Sequence, residues 1–292
     1  MEEGRLVSKQ IDVNGVRLGV ELREAGGVAD NSQMARGRAI PLVLLHGFTA
    51  SAASWGYHLD RLAAQGLRVI ALDMLGHGAS DAPECAERYS LAHCQEDILA
   101  VLHVLGVRQG EAILLGYSMG GRIALYTAFA GLFRALILES ASPGIENVAE
   151  RTQRRLSDEA LATCIERDGV AAFVEYWERL PLFASQRRLL QQQQQALHMQ
   201  RLGNCAVGLA QSLRGAGTGT QPSLWGKLPQ LHIPTLLIAG ELDTKFSIIA
   251  RRMAQTLPYV QLQIVPNAGH TVHLEQPEQF DQLVINFCLA KG

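Results

Sequence analysis

The feature that most constrains this chain is a serine set among glycines at residues 116–121, Gly-Tyr-Ser-Met-Gly-Gly. The apolar run 112–115 precedes it, and residues 122–130, which are typical of a helix, follow it. This order predicts a strand, a sharp turn and a helix, with Ser118 at the apex. The glycines allow the strained turn and let strand and helix approach closely. Such a turn exposes the serine hydroxyl at a sheet edge, where it can act as a nucleophile or a base.

Two later segments supply the acid and the histidine that would activate this serine. The apolar run 236–239 leads into a turn with Asp243, and the run 260–265 leads into a loop with His270. Serine, acid and histidine in this order, each after a strand, are expected of a catalytic triad on an α/β sheet. Each residue alone has a simpler interpretation, because an aspartate can cap a helix and a lone histidine is usually packing or surface. The three together predict the triad Ser118, Asp243 and His270.

Two neighbouring residues offer alternatives for the triad. Glu241 could replace Asp243, but Asp243 is preferred because it opens the next predicted helix. His273 lies three residues after His270 and could also enter the pocket.

The apolar strand 42–45 runs into a His-Gly-Phe segment at residues 46–48. The backbone N–H of Phe48 and that of Met119 are predicted to form a two-donor oxyanion hole. The alternative is an ordinary glycine turn after a strand. His46 and His77, in loops at the same end of the sheet, are expected to be structural hydrogen-bonding residues.

Composition limits the classes of protein to consider. A chain of 292 residues suits one large domain or a core with an inserted lid. Its 48% apolar and 18% charged residues are ordinary for a globular protein, and a net charge of −2 gives no sign of a nucleic-acid surface. The first residues lack the apolar core of a signal peptide, and no stretch approaches the roughly 18 uninterrupted apolar residues of a membrane span. A cytoplasmic protein is expected.

Cysteine usage and the motifs give no indication of a cofactor or a metal. The cysteines are odd in number, scattered and without metal-ligand spacing: Cys85, Cys94, Cys164, Cys205 and Cys288. Free thiols in a reducing compartment are expected. No glycine-rich dinucleotide or phosphate loop follows a predicted strand. The oligomeric state cannot be predicted.

Alternating strand and helix patterns predict a mostly parallel, doubly wound α/β sheet. Residues 6–24 are predicted to form a hairpin about an Asn-Gly turn, and 25–40 an exposed, mobile loop. Ser90 is predicted to cap a helix whose buried face carries residues 91, 94, 98, 102 and 105.

The alternation stops between residues 144 and 228, where the pattern is helical and poor in strands. This interruption predicts a helical cap, 144–228, inserted between two parts of an α/β-hydrolase core, 1–143 and 229–292. A cap of this kind shapes substrate choice and excludes water. A glutamine run at 191–195 is interpreted as an exposed helix face.

The fold alone does not decide the chemistry, because it serves many reactions. Arg122 lies four residues after Ser118, so one helical turn can bring it to the same pocket. It either binds an anionic ligand there or forms a salt bridge with an acid of the cap. Further arginines occur in the cap at 151, 154, 155 and 201, and most such residues are solvated surface. If several face the pocket, they suit a substrate with more than one carboxylate.

Several segments resemble one family within the α/β-hydrolase superfamily, the 2-succinyl-6-hydroxy-2,4-cyclohexadiene-1-carboxylate synthases of menaquinone and phylloquinone biosynthesis. The resemblance covers residues 41–289. The segments that carry it are Glu-Ser-Ala-Ser-Pro-Gly at 139–144, Glu150 to Arg155 with Asp158, Trp177 to Ser185, Ser212 to Pro222, Gly240 to Phe246, and Ala268 to His270.

The resemblance implies a lyase rather than a hydrolase. Its substrate would be 2-succinyl-5-enolpyruvyl-6-hydroxy-3-cyclohexene-1-carboxylate, from which a ring proton is removed and pyruvate leaves. It implies Ser118 as the base, and substrate contacts by Arg122, Arg154, Arg201, Tyr117 and Trp177. Packing is the alternative role for the two aromatic residues. No cofactor or metal is implied.

Two other functions remain open. A carboxylesterase or C–C bond hydrolase would use the same triad, and would turn over simple esters without depending on Arg122. A non-enzymatic ligand-binding protein of the same fold is the third possibility, and the intact set of Ser118, Asp243 and His270 argues against it.

Overall fold

The computed structural model describes residues 7–26 and 39–291, and its centre is one eight-stranded sheet. In chain order the strands are β1 (Val7–Val13), β2 (Val16–Arg23), β3 (Ile40–Leu45), β4 (Leu67–Leu72), β5 (Ile113–Tyr117), β6 (Ala135–Glu139), β7 (Thr235–Gly240) and β8 (Val260–Val265). The order across the sheet is β1-β2-β4-β3-β5-β6-β7-β8. The β1–β2 and β2–β4 pairs are antiparallel and the other pairs are parallel, which confirms the mostly parallel sheet.

The predicted hairpin at the start of the chain is present. Val13 and Val16 close the β1–β2 ladder, and Asn14 and Gly15 between them have φ of 48° and 79°. Two positive φ values are what a tight turn of this hand requires. Most of the loop predicted at 25–40 lies outside the described residues, and its last residue, Ile40, opens β3 instead.

Helices cover both faces of the sheet. They are α1 (His58–Ala64), α2 (Leu91–Val104), α3 (Met119–Ala128), α4 (Val148–Glu178), α5 (Gln191–Leu202), α6 (Ala206–Ala216), α7 (Thr244–Ala254), α8 (Val272–Glu275) and α9 (Pro277–Ala290). Short 3₁₀ segments occur at Ala52–Trp55, Ala86–Tyr89, Pro181–Arg188 and Trp225–Gln230.

The continuous apolar strands follow from this two-sided covering. Leu42 and Leu44 pack into the core on one face of the sheet, and Val43 and Leu45 into the core on the other, all fully buried. A strand buried on both faces loses the apolar–polar alternation of a half-exposed strand. The doubly wound arrangement is thereby confirmed.

The helix predicted after Ser90 is α2, and Ser90 caps it by accepting a hydrogen bond from the His93 N–H at 3.4 Å. The predicted apolar face is buried. The cysteines are free thiols, of which Cys94 and Cys288 are buried.

Three helices and two 3₁₀ segments, without a strand, occupy the described chain between β6 and β7. We call α4 to α6, residues 148–216, the insertion. Its own apolar cluster joins α4 to α6 through residues such as Ile165, Phe173 and Leu209. Gly169, with φ of 83°, bends α4. The domain boundaries at 144 and 228 stay a prediction. None of the helices in the described residues has the length and apolar character needed to cross a bilayer.

Candidate active site

The predicted serine turn joins β5 to α3 at the carboxyl end of the sheet. Ser118 has φ of 51° and ψ of −106°, a conformation that costs free energy and that functional turns retain. Gly120 makes the turn possible, since a Cβ there would lie 2.2 Å from the Leu45 carbonyl oxygen. The Gly120 N–H also donates to the His46 carbonyl at 3.0 Å. The hydroxyl is thereby fixed at the edge where β3 and β5 end.

The three residues predicted as a triad are in hydrogen-bond contact. His270 Nε2 lies 2.9 Å from Ser118 Oγ, and His270 Nδ1 lies 2.6 Å from Asp243 Oδ2. His270 and Asp243 are buried, with 1% and 8% of their surface exposed. With its Nδ1–H donated to the carboxylate, the imidazole presents a lone pair at Nε2 to the serine hydroxyl. This is the geometry in which a serine can be deprotonated.

Asp243 has both of the roles that its sequence position suggested. Its Oδ1 accepts from the Phe246 N–H at 3.2 Å and so caps α7, while its Oδ2 holds His270. Glu241 is exposed, and its carboxylate accepts only a long 3.4 Å bond from the Asn267 N–H. The geometry therefore favours the aspartate as the acid of the triad.

His273 does not enter the pocket with His270. Its Nδ1 donates to the Glu139 carboxylate at 2.8 Å, and both side chains are buried. Glu139 also accepts the Ser118 N–H through its backbone carbonyl at 2.9 Å. The sequence analysis missed this acid, whose only signal was a carboxylate at the end of an apolar strand.

His46 and His77 have the structural character expected of them. His46 donates from Nδ1 to the Gly47 carbonyl at 2.7 Å and accepts from the Met74 N–H at Nε2. His77 donates to the Leu75 carbonyl at 3.2 Å. Burial disfavours the charged imidazole and lowers the pKa of His46 to about 4 and that of His77 to about 3.

These two histidines should make the fold sensitive to acid. Because each folded-state pKa lies below the unfolded value of 6.5, the unfolded chain binds more protons once the pH falls below 6.5. The contribution of each histidine to the free energy of unfolding is therefore fully present above that pH and is lost as the pH falls below it. The loss is about 2 kcal/mol for each histidine between pH 7 and pH 5. Urea unfolding at both pH values measures this loss. In His77→Gln the loss should be about 2 kcal/mol smaller, and an equal loss in both proteins would contradict the assignment.

The two residues predicted as oxyanion donors line the same cavity as Ser118. Met119 is the first residue of α3, so its N–H has no acceptor within its own helix. Within residues 7–26 and 39–291, no protein acceptor is found for the N–H of Phe48 or of Met119. Two such donors can stabilise an oxygen on which negative charge develops. Their role stays a proposal.

The cavity has a volume of about 1070 Å³ and lies between the strand ends and the insertion. All three triad residues line it. Its charged lining is mainly basic: Arg122, Arg154, Arg188, Lys245 and Arg252, against Asp243, Glu146 and Glu150. Two of the acids are already engaged, Asp243 by His270 and Glu146 by Arg252 at 2.6 Å. The cavity therefore suits an anionic ligand.

Arg122 forms no ion pair with an acid in the described part of the chain, although the nearby charge of Asp158 acts to raise its pKa, and a role in binding a ligand stays a proposal. Its Nη1 donates to neutral acceptors, the Ala216 carbonyl at 2.8 Å and Gln221 Oε1 at 3.1 Å. Burial and the nearby charge of Arg154 lower the pKa of Arg122 to about 10, so it stays charged at neutral pH. A guanidinium in this position is costly without an anion, which a ligand can supply.

The arginines of the insertion are placed differently from one another. Arg154 lines the cavity while its Nε donates to Asp158 at 2.8 Å. Arg151 donates to the Ile145 carbonyl, Arg155 is exposed, and neither lines the cavity. Of the three, the geometry therefore favours Arg154.

Arg201 is not brought to this cavity. It is 5% exposed, is paired with Glu178 at 2.8 Å, and lies with its guanidinium 5.3 Å from the centre of the Phe183 ring. It lines a second, smaller cavity of about 430 Å³, which shares Phe48, Tyr117 and Phe183 with the first.

The two predicted aromatic residues both line the main cavity and both also pack. The Tyr117 ring lies 5.5 Å from that of His270, and its hydroxyl lies 2.9 Å from Thr271 Oγ1. Trp177 packs edge-on against Phe48 at 5.4 Å, and its buried indole N–H has no partner among the described residues. Substrate contact and packing are therefore compatible for Trp177.

The sequence analysis missed three basic residues of the wall, Arg188, Lys245 and Arg252. Arg188 and Lys245 are exposed, and Arg252 stacks 3.8 Å over the ring of Trp225. Lys245 directly follows the first residue of α7, a position at the mouth of the site that could have been inferred from the triad loop. Nothing in the sequence distinguishes the other two from solvated surface residues.

Comparisons with known proteins agree with this architecture. The model of the alpha/beta hydrolase family matches residues 42–283. A putative 2-succinyl-6-hydroxy-2,4-cyclohexadiene-1-carboxylate synthase of Bacillus subtilis (strain 168) is 45% identical over 84% of this chain and 89% of its own. The synthase of that name from Serratia proteamaculans (strain 568) is 34% identical over 86% and 94%.

Solved structures give the same result. MenH from S. aureus superposes with a TM-score of 0.85 at 35% identity, covering 93% of this chain and 98% of its own. A thermophilic esterase from Thermogutta terrifontis has a TM-score of 0.82 at 23% identity, over 98% and 99%, and shares the fold. The chain therefore belongs to the alpha/beta hydrolase family and, within it, to the family of the 2-succinyl-6-hydroxy-2,4-cyclohexadiene-1-carboxylate synthases.

Proposed function

We propose that this protein is a carbon–oxygen lyase of quinone biosynthesis, which eliminates pyruvate from 2-succinyl-5-enolpyruvyl-6-hydroxy-3-cyclohexene-1-carboxylate. The observation that carries the proposal is Arg122, a half-buried cation that forms no ion pair in the described chain and lines the same cavity as the serine triad. An enzyme that cleaves neutral esters needs no such cation to bind its substrate. The relatives that match over most of the chain carry the name of this synthase.

The charges of the substrate and of the cavity are complementary. As its name states, the substrate carries a ring carboxylate, an enolpyruvyl carboxylate and the terminal carboxylate of the succinyl group. Arg122 and Arg154 provide forked donors that match carboxylates. Lys245 and Arg188 add positive charge at exposed positions of the wall, which increases the rate of encounter with a polyanion.

The triad performs a proton transfer in this reaction. Ser118 Oγ takes a proton from the ring while its own proton passes to Nε2 of His270, and Asp243 stabilises the resulting imidazolium. The electron pair of the broken C–H bond moves through the ring and expels pyruvate, in its enolate form, by breaking the C–O bond. His270 then gives its proton to the departing pyruvate enolate, which leaves a neutral imidazole beside the serine hydroxyl already re-formed by the ring proton. Backbone donors at Phe48 and Met119 would stabilise the negative charge that develops on an oxygen during this step.

The required groups are all side chains or backbone of the protein, so the proposal includes no cofactor and no metal. A small-molecule polycarboxylate in the cytoplasm is the proposed partner.

A coupled assay on the purified protein tests the proposal. The enolpyruvyl substrate is supplied, and the released pyruvate is followed by its reduction with lactate dehydrogenase and NADH. We expect release that saturates with substrate and persists in the presence of a metal chelator. If well-folded protein releases no pyruvate but cleaves p-nitrophenyl esters, the esterase alternative holds instead.

A further inference from the structure

One segment of the insertion lies directly on the loop that carries the catalytic histidine. The 3₁₀ segment Pro181–Arg188 carries Phe183, whose ring packs edge-to-face with the His270 ring at 6.1 Å between ring centres. It also leaves no space at Gly269, where a Cβ would lie 2.0 Å from Ser185 Oγ. The position of the histidine therefore depends on how this segment is held.

A buried glutamine in this segment connects it to the loop by hydrogen bonds. Gln186 donates from Nε2 to Thr271 Oγ1 at 2.9 Å and accepts at Oε1 from Arg201 Nη2 at 2.9 Å. The guanidinium can only donate, so it fixes the orientation of the amide and directs the Nε2 donor to Thr271. Arg201 is in turn held by Glu178 at the end of α4. The glutamine, the arginine and the threonine are all at least nine-tenths buried.

The connection continues from the threonine to the nucleophile turn. Thr271 follows His270 in the chain, and its hydroxyl lies 2.9 Å from the hydroxyl of Tyr117, the residue that precedes Ser118. The chain of hydrogen bonds Glu178–Arg201–Gln186–Thr271–Tyr117 therefore ends beside both members of the reacting pair. The contacts from Arg201 through Gln186 and Thr271 to Tyr117 are buried, and the loss of one member of a buried network of hydrogen bonds is costly.

We propose that Gln186 and Thr271 are positioning residues for the Ser118–His270 pair, and that Arg201 supports them by holding the amide of Gln186. This proposal rests on the proposed function only for which reaction the triad catalyses. The contacts themselves concern the triad, whatever its substrate. Its physical reason is that proton transfer requires the two reacting atoms within about 3 Å, and a displacement of about 1 Å lowers the rate strongly. Arg201 lies behind Phe183 and outside the main cavity, which suits this role.

The test measures the reactivity of Ser118 without the natural substrate. A fluorophosphonate phosphonylates an activated serine: the Oγ–P bond forms, fluoride leaves, and the serine proton passes to His270. Thr271→Val removes the hydroxyl at nearly constant volume, and Thr271→Ser retains it. We expect the rate of labelling to fall about tenfold in Thr271→Val, because the free energy of one buried hydrogen bond corresponds to about that factor. In Thr271→Ser the rate should stay within about twofold of the wild-type rate.

Two further variants and a measurement of stability distinguish a positioning role from a folding defect. Gln186→Met removes both hydrogen bonds of the glutamine and should slow labelling about as much as Thr271→Val. Thr152→Val is the matched control, since Thr152 is exposed on α4 and bonds only to its own helix. It should label at the wild-type rate. Thermal unfolding of each variant identifies any that is not folded.

Labelling at the wild-type rate in folded Thr271→Val and Gln186→Met would overturn the proposal. Equal slowing in Thr271→Ser and Thr271→Val would also overturn it, because the hydroxyl would then not be the cause. In the pyruvate assay we expect kcat to fall by the same factor with KM unchanged. If the wild-type protein is labelled but releases no pyruvate, the proposed function fails while the labelling result still decides the positioning role.

Discussion

Ser118→Ala should lower kcat for pyruvate release by about a thousandfold or more, with KM changed little. The serine oxygen is the group that the geometry places against His270, and alanine offers no atom that can accept the ring proton. The substrate would still be bound by the basic residues of the cavity, which the substitution does not touch. Steady-state kinetics with the coupled pyruvate assay measure both constants.

Two further variants support the interpretation of this experiment. Ser157→Ala alters an exposed serine of α4 that does not line the cavity and donates to the Gln153 carbonyl of its own helix. It should retain wild-type kinetics. His270→Ala should cause a loss similar to that of Ser118→Ala, and the double variant should lose little more, because the residues act as one unit. A Ser118→Ala protein that keeps a tenth of the wild-type kcat would exclude serine as the base.

The triad could be predicted because each part of it has a local signal in the sequence. The turn at Ser118 is marked by glycines, which the close approach of strand and helix requires. At Gly120 a Cβ would collide with the Leu45 carbonyl oxygen. Asp243 and His270 each follow an apolar run of strand length, so their common position at the carboxyl edge follows from the parallel sheet. Local backbone chemistry and strand order together were sufficient.

The partners of buried side chains could not be predicted in the same way. The carboxylate of Glu139 holds His273, which lies 134 residues further along the chain. Gln186 and Thr271 are separated by 85 residues, and no local pattern marks either residue. Spacing could place Arg122 near Ser118, but it could not show whether an acid of the insertion reaches it. Such pairs depend on how distant elements pack, which a single sequence does not encode locally.

The location of Arg201 shows the same limit. The resemblance assigned it, with Arg122 and Arg154, to the substrate. In the structure Arg201 is balanced by Glu178 and lies outside the main cavity, whereas Arg122 has no acidic partner among the described residues. The resemblance gives the three arginines the same role, but they differ in whether an acidic side chain already pairs with their charge.

Arg122→Met should lower kcat/KM for the enolpyruvyl substrate by about a hundredfold, since a charged hydrogen bond to a carboxylate contributes about 1.5–3 kcal/mol. The free energy of unfolding should change by less than about 1 kcal/mol, because the loss of two hydrogen bonds is offset by the removal of a half-buried charge that forms no ion pair in the described chain. A large loss of activity without a loss of stability is what distinguishes a ligand-binding cation from a structural one. Kinetics and urea unfolding on the same preparation measure the two quantities.

Arg214→Met is the matched control, because Arg214 does not line the main cavity and its guanidinium is held by Glu159 and Glu166. It should keep the wild-type kcat/KM. Arg122→Lys keeps the charge but not the planar fork, and it should recover only part of the activity lost in Arg122→Met. Cleavage of uncharged p-nitrophenyl acetate, where measurable, should be the same in the wild type and in Arg122→Met, since that ester has no carboxylate. An unchanged kcat/KM for the enolpyruvyl substrate in Arg122→Met would show that Arg122 does not bind a substrate carboxylate.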